Sequence, residues 1–201
     1  MTTPRHVFLA RHGETDWNAA GRLQGQTDVP LNATGRAQAS VLAERLRREG
    51  IAAIATSDLQ RARATAEIVA RALGLDVALV DPDLREQRFG RFEGLTRSEC
   101  QRRFPEEWAR YVDGSSPPGG EPTASLLARA VASVERIAGR LRSPALVITH
   151  GGVMRAVLGA AGIVIPGAGA SPAVPRRIPN GGVYRVTVSA GQVVDAAPLE
   201  G

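Results

Sequence analysis

Val7-Phe8-Leu9-Ala10-Arg11-His12-Gly13-Glu14-Thr15 is a short apolar run that ends on arginine, histidine and glycine. The pattern returns near the other end as Ala145-Leu146-Val147-Ile148-Thr149-His150-Gly151-Gly152. Of the three histidines in the chain, two therefore occupy the same strand-then-turn position. Short runs of branched side chains bounded by glycine or charge are those of buried strands in a parallel sheet. Ligands of open α/β sheets bind beyond the carboxyl ends of the strands, so Arg11, His12 and His150 are predicted to meet at one site. Imidazole is a nucleophile and proton carrier near neutrality, and the arginine fork matches phosphate or carboxylate. The combination points to phosphoryl chemistry.

Working outward, Ile51 to Ala55 leads into Thr56-Ser57-Asp58-Leu59-Gln60-Arg61-Ala62-Arg63-Ala64-Thr65-Ala66. Ser57 is the predicted N-cap, Leu59, Ala62, Ala66, Val69, Ala70 and Leu73 form a helical apolar stripe, and Gly74 ends it. Arg61 falls in the first turn, where the helix dipole favours an anion over a cation. A bound anion would resolve that conflict, which makes Arg61 a site candidate. Elsewhere the pattern predicts strands near His6 to Ala10, Ala53 to Thr56 and Val77 to Val80. A helix is expected from Ala33 or Gly35 to Glu49, capped by Asn32 or Thr34 and closed by Gly50. Thr96-Arg97-Ser98-Glu99 reads as a capping box opening a helix that ends by Pro105, with another through Tyr111. Helices from Thr123 to Leu141 and Gly152 to Ala160 flank the His150 strand. A Gly/Pro/Ala-rich loop is expected from Gly162 to Pro179, and Val183 to Val188 pairs with Gln192 to Asp195 across Ala190-Gly191.

This alternation predicts an α/β three-layer sandwich, with a mostly parallel central sheet and helices on both faces. One domain over residues 1–201 is expected, with an insertion at 95–122 acting as a lid. Arg97, Trp108, Arg110 and Tyr111 in that insertion are candidate specificity contacts, or packing in the case of the aromatics.

The segment Leu84-Arg85-Glu86-Gln87-Arg88-Phe89-Gly90-Arg91-Phe92-Glu93-Gly94-Leu95 is, alone, a charged loop with two glycines. Taken with the others it completes an ordered set of four motifs, RHGET, SxLxRAxxTA, LxExxxGxxEG and THGG. In these the chain resembles the histidine phosphatase superfamily, the phosphoglycerate mutase-like group, from about Val7 through Ala161 and again over Ile178-Pro179-Asn180-Gly181-Gly182. The resemblance implies that His12 is the nucleophile that becomes phosphorylated. It implies that Arg11, Arg61 and His150 hold the phosphoryl oxygens and that Glu86 protonates the leaving oxygen. Asn18, in RHGETxWN, and Gln24, Gly25 and Gly151 are implied to line the phosphate pocket. Gly119-Gly120-Glu121 resembles the family's GGE element, except that Pro122 stands where serine often follows, so a capping hydroxyl falls to Thr123.

Three activities fit: a phosphomonoesterase acting on a small phosphorylated metabolite, a cofactor-dependent phosphoglycerate mutase, and a noncatalytic phospholigand-binding protein. The mutase branch carries a lysine after its LxExxxGxxxG motif, paired arginines further on and a longer carboxyl tail. Here Arg97 and Ala109-Arg110 stand near those positions and the chain stops at Gly201, which favours hydrolysis. The intact site residues oppose the noncatalytic reading.

Other chemistries fit poorly. Asp81-Pro82-Asp83-Leu84-Arg85 is a poor match to an aspartate nucleophile motif, and the chain contains no lysine for that class or for a Walker loop. Cys100 lacks the following arginine-bearing glycine loop of a cysteine phosphatase, and no cluster has zinc-ligand spacing, so neither metal nor other cofactor is expected. A pI near 10.7 raises nucleic acid as a partner. With a net charge of only +5 and 4% aromatic residues, a stacking platform is not expected, and the arginines Arg36, Arg45, Arg129, Arg136 and Arg140 read as dispersed helix charges. One cysteine suits a reducing cytoplasm, and no apolar run is long enough to span a bilayer. The final hairpin offers an edge on which a homodimer could form.

Overall fold

Successive residues of a strand point to opposite faces, and this alternation builds two cores from the same four strands. In the computed structural model, which describes residues 3–162 and 178–199, the chain runs β1 (Arg5–Arg11), α1 (Asp16–Ala19), α2 (Ala33–Leu46), β2 (Ala53–Thr56), α3 (Gln60–Leu73), β3 (Val77–Val80), α4 (Arg97–Arg103), α5 (Pro105–Val112), α6 (Thr123–Arg140), β4 (Ala145–Thr149), α7 (Gly151–Ala160), β5 (Val183–Ser189) and β6 (Gln192–Pro198). Phe8, Ala10, Ile54, Leu146 and Ile148 face α2 and α3. Val7, Leu9, Ala55, Ala145 and Val147 face α6 and α7. The sandwich therefore has three layers.

The six strands lie in the order β3-β2-β4-β1-β5-β6. The first four are mutually parallel, whereas β5 and β6 run antiparallel at one side. One register decides the position of the site: Arg11 at the end of β1 pairs with Thr149 at the end of β4. His12 and His150 are thus the next residues beyond two adjacent strand ends.

A third, smaller cluster lies away from the sheet. Phe89, Phe92 and Cys100 pack with Leu23, Leu95, Phe104, Trp108 and Tyr111. Phe92 meets Trp108 and Tyr111 edge-on at centroid distances of 5.6 and 5.7 Å. The aromatics of the 95–122 segment thus pack it onto the domain, and Arg110 is exposed.

Several element ends differ from the sequence reading. Asn32 caps α2 as expected, accepting from the Gly35 N–H at 2.8 Å, but the helix closes at Leu46, three residues early. The Thr96 and Glu99 capping box is present. Ser57 is not the N-cap of α3; Leu59 holds that position without a side-chain bond. Thr123 does not cap α6 either, because Pro122 does so without a bond and the Thr123 hydroxyl instead accepts from Gln87 at 3.4 Å. Strand β6 extends to Pro198, and α7 begins at Gly151. Most of the expected 162–179 loop lies outside the described residues.

Candidate active site

The Arg11 to Thr149 register brings the His12 and His150 rings to 5.1 Å between centroids, tilted by 57°. Both are buried, at 2% and 0% exposure. The His12 N–H donates at backbone level to the Thr149 carbonyl at 2.9 Å, and ring Nδ1 lies 2.6 Å from the Gly13 carbonyl. A carbonyl can only accept, so Nδ1 carries the proton and Nε2 keeps its lone pair. Gly13 cannot bear a side chain here, since a Cβ would run into the backbone of Gly35 at the start of α2. The two ring nitrogens of His150 are buried without a hydrogen-bond partner among the described residues. Buried polar atoms of this kind are rare in folded proteins.

Two arginines, Arg11 and Arg61, line the same cleft as His12. Arg61 is wholly buried; its two terminal nitrogens donate to the Thr27 and Gly25 carbonyls at 2.8 and 2.7 Å, while Nε has no partner among the described residues. Arg11 donates to the Ile178 carbonyl at 2.6 Å, and its backbone is bracketed by Gly181 and Gly182. Asn180 from the same stretch donates to the His12 carbonyl and to Asn18 Oδ1. Burial first, then Arg11 and Arg61, holds the His12 pKa well below the ordinary histidine value. His150 is lowered likewise by burial, then by Arg61, His12 and Arg11.

The cleft has a volume of about 430 Å³, and Asn18 and Gln24 add amides to its lining. Asn18 Oδ1 accepts from the Thr15 N–H and from Asn180, and Gln24 Oε1 accepts from the Thr15 hydroxyl. With their oxygens engaged inward, both amides turn their NH₂ groups to the cleft. Gly25 and Gly151 line it as well, the latter at the N-terminus of α7, where a helix favours negative charge. Glu86 is the acidic group there. Its carboxyl accepts from the Gly152 and Gln87 N–H groups at 3.0 and 2.9 Å.

Arg11, His12, Asn18, Gln24, Gly25, Arg61, Glu86 and Gly151 thus line one cleft, with His150 buried against the His12 ring, but the helix-terminus argument for Arg61 resolves differently. The anion at the start of α3 is Asp28, which accepts from the Gln60 N–H at 2.8 Å, while the Arg61 side chain reaches the 25–27 loop. Glu93, in the glycine-flanked turn, accepts from the Gln26, Thr27 and Phe89 N–H groups and so shapes that loop. Arg63 is on the surface, 3.8 Å from Glu67.

Two arginines read as dispersed charges are structural. Arg129 pairs with Glu121 through two 2.7 Å contacts and donates to the carbonyls of Asp83, Arg85 and Glu86. Arg136 pairs with Asp81 and Asp83, and Ser133 donates to Asp81. Positions 129, 133 and 136 share one helical face, which was the available sequence signal. They lock the 81–86 segment, and with it Glu86. Arg155, which also lines the cleft, had no such signal. Among the described residues no group of three or more His, Cys, Asp or Glu side chains is placed to hold a metal ion, and no helix is long and apolar enough to cross a membrane.

The arrangement suits a tetrahedral, acceptor-only anion: fixed donors surround it, an imidazole lone pair faces it and a carboxyl stands alongside. Comparison with known proteins agrees. The sequence matches the model described as histidine phosphatase superfamily (branch 1) over residues 7–194. A metal-independent phosphoserine phosphatase of Arabidopsis thaliana is 39% identical over 157 residues, 75% of this chain and 66% of that protein. A probable phosphoglycerate mutase GpmB of Photorhabdus laumondii is 39% identical over 163 residues, 76% of this chain and 73% of that protein. This chain spans about two thirds of the length of the curated relatives it matches. A solved mycobacterial glucosyl-3-phosphoglycerate phosphatase in complex with VO3 is 30% identical, with a TM-score of 0.79 over 96% of this chain and 97% of that one.

The lowered histidines carry a stability signature. Below the ordinary histidine pKa the unfolded chain takes up protons that the folded imidazoles refuse, so stability is full above about pH 6.5 and falls as the pH drops below it. The loss reaches up to about 1.4 kcal/mol per histidine per pH unit. Thermal unfolding between pH 7.5 and 5.5 should show this fall in midpoint, a flatter profile in His12→Asn/His150→Asn, and partial recovery with inorganic phosphate.

Proposed function

Because this chain belongs to the histidine phosphatase superfamily, we propose that it hydrolyses the phosphomonoester of a small phosphorylated metabolite through a phosphohistidine on His12. The observation that carries this reading is a cleft lined by Arg11, His12 and Arg61, with the His150 ring, whose nitrogens have no partner among the described residues, packed against His12. His12 Nε2 attacks phosphorus as the ester P–O bond breaks, and the Glu86 carboxyl gives its proton to the leaving alkoxide. Water then attacks the phosphorus, Glu86 takes a proton from it, and the P–N bond breaks to release inorganic phosphate. The two-step route replaces one difficult displacement with two easier ones. Arg11 and Arg61 supply fixed positive charge to the equatorial oxygens, so the activity is expected to survive chelators.

A second reading is kept by the relative named as a probable phosphoglycerate mutase. In it the phosphoryl group returns to a second hydroxyl instead of water. Incubation with a ³²P-labelled ester separates the two: label in free phosphate supports hydrolysis, and label on an added phosphoglycerate acceptor supports the mutase. Acid-labile, base-stable label on the wild-type protein that vanishes in His12→Ala is expected, together with inhibition by vanadate. A protein with neither label nor turnover would overturn both readings.

The acid is tested through its support. A Cβ on Gly152 would run into the Glu86 carboxyl, whereas the helix itself gains about 0.5–1 kcal/mol from alanine in place of glycine. Gly152→Ala should keep its melting temperature yet lose kcat toward the level of Glu86→Ala, whose loss is expected at about 10²–10⁴-fold. Both variants should be impaired more on alkyl than on aryl phosphates, because a phenolate leaves without a proton.

A further inference from the structure

The carbonyl that His12 Nδ1 meets at 2.6 Å belongs to the Gly13–Glu14 peptide, and the other edge of that peptide is held by a side chain outside the cleft. The Glu14 N–H donates to Gln38 Oε1 at 2.8 Å. A trans peptide is planar, with its N–H and C=O on opposite sides, so holding the N–H aims the carbonyl. The need for a hold follows from the residue at 13. Only glycine fits there against Gly35, and glycine leaves the next peptide the widest choice of orientation. Gln38 is half-buried and lies three residues past Gly35, on the same face of α2. The start of that helix is itself docked on Glu14: the Asn32 N–H donates to the Glu14 carbonyl and the Asn32 amide to the Glu14 carboxyl, both at 3.0 Å. The preceding peptide is tied to α3. The Gly13 N–H donates to the buried Thr65 hydroxyl at 3.1 Å, and that hydroxyl donates to the Arg61 carbonyl at 2.8 Å. Both peptides of Gly13 are thus clamped, one from each helix.

We propose that Gln38 is a positioning residue for the nucleophile: acting through the Gly13–Glu14 peptide, it holds His12 in the Nδ1–H tautomer and so keeps the Nε2 lone pair free for phosphorus. The hydrogen bond made by one imidazole nitrogen decides which of the two carries the proton. Here the chain of bonds runs from Gln38 Oε1 to the Glu14 N–H, across the amide to the Gly13 carbonyl, and on to His12. No proton moves along it. Bonds in such a chain polarise one another, by roughly 10–30% each, so the glutamine makes the carbonyl a stronger acceptor as well as a better aimed one. Gln38 does not line the cleft, so its effect falls on kcat rather than on KM. This role rests on His12 being the nucleophile, but the tautomer can be read without turnover.

The test pairs ring ¹⁵N spectra of histidine-labelled protein at pH 7.5 with turnover of p-nitrophenyl phosphate. His12→Ala identifies the His12 signals by their loss. Wild-type His12 should show a protonated Nδ1 and a bare Nε2. In Gln38→Met, which keeps the length of the side chain and removes its acceptor, the two nitrogen shifts should move toward each other as the tautomers mix. Its kcat should fall by about tenfold or more with KM little changed. Gln38→Glu keeps an acceptor and should keep the wild-type tautomer and at least about a third of kcat. A tautomer shift in Gln38→Met that Gln38→Glu does not show supports the role even if the wild type hydrolyses no ester, an outcome that would sink the hydrolase reading alone. Unmoved nitrogen shifts in Gln38→Met, with or without a lower kcat, overturn the role, as does an equal loss of the Nδ1–H form in Gln38→Glu, and both leave hydrolysis standing.

Discussion

Arg61 is a permanent charge held inside the protein, and much of the structure follows from the way it is solvated there. Burying a guanidinium is unfavourable by several kcal/mol unless polar groups replace water. Here the replacements are neutral carbonyls, from Gly25 and Thr27 for Arg61 and from Ile178 for Arg11. Carbonyl dipoles stabilise the cation without cancelling it. The cleft keeps its positive potential, which adds to burial, the larger cause, in keeping His12 and His150 neutral.

Three other arginines follow the opposite rule. Arg85 makes a two-point contact with Asp58, Arg129 with Glu121, and Arg136 joins Asp81 and Asp83. Carboxylates neutralise these charges, and the paired groups act as struts. Three of the struts converge on the short segment from Asp81 to Glu86, which carries no long helix or strand of its own. Glu86 lines the cleft at the end of that segment, and a segment without regular structure holds such a carboxyl in place only by being tied from outside.

The strands and the histidines were legible in the sequence because their signals are local: short runs of branched apolar side chains, a terminal glycine and a scarce residue type in a repeated position. The cap of α3 was not, because the group that satisfies its terminus is Asp28, far away in the chain and in no fixed relation to the helix. Arg129 was misread for a related reason. Its helix position leaves its side-chain partners unspecified, and a charge facing a loop looks like a charge facing water until the loop is placed. Glu93 showed only a turn signal in sequence, yet three backbone N–H groups depend on it. The element ends that moved, at Leu46 and Pro198, are set by tertiary packing and strand pairing rather than by a residue that stops the chain.

The aromatic cluster around Phe92 gives the 95–122 segment a nucleus separate from the two that sandwich the sheet. Its side chains contact one another and Leu23, not the parallel strands. Mutations that resize this nucleus need not touch the register of β1 and β4, so the part of the cleft wall that carries Arg97 can drift while the strand ends beneath His12 stay fixed. A scaffold divided in this way can have its cleft reshaped by grafting one cassette.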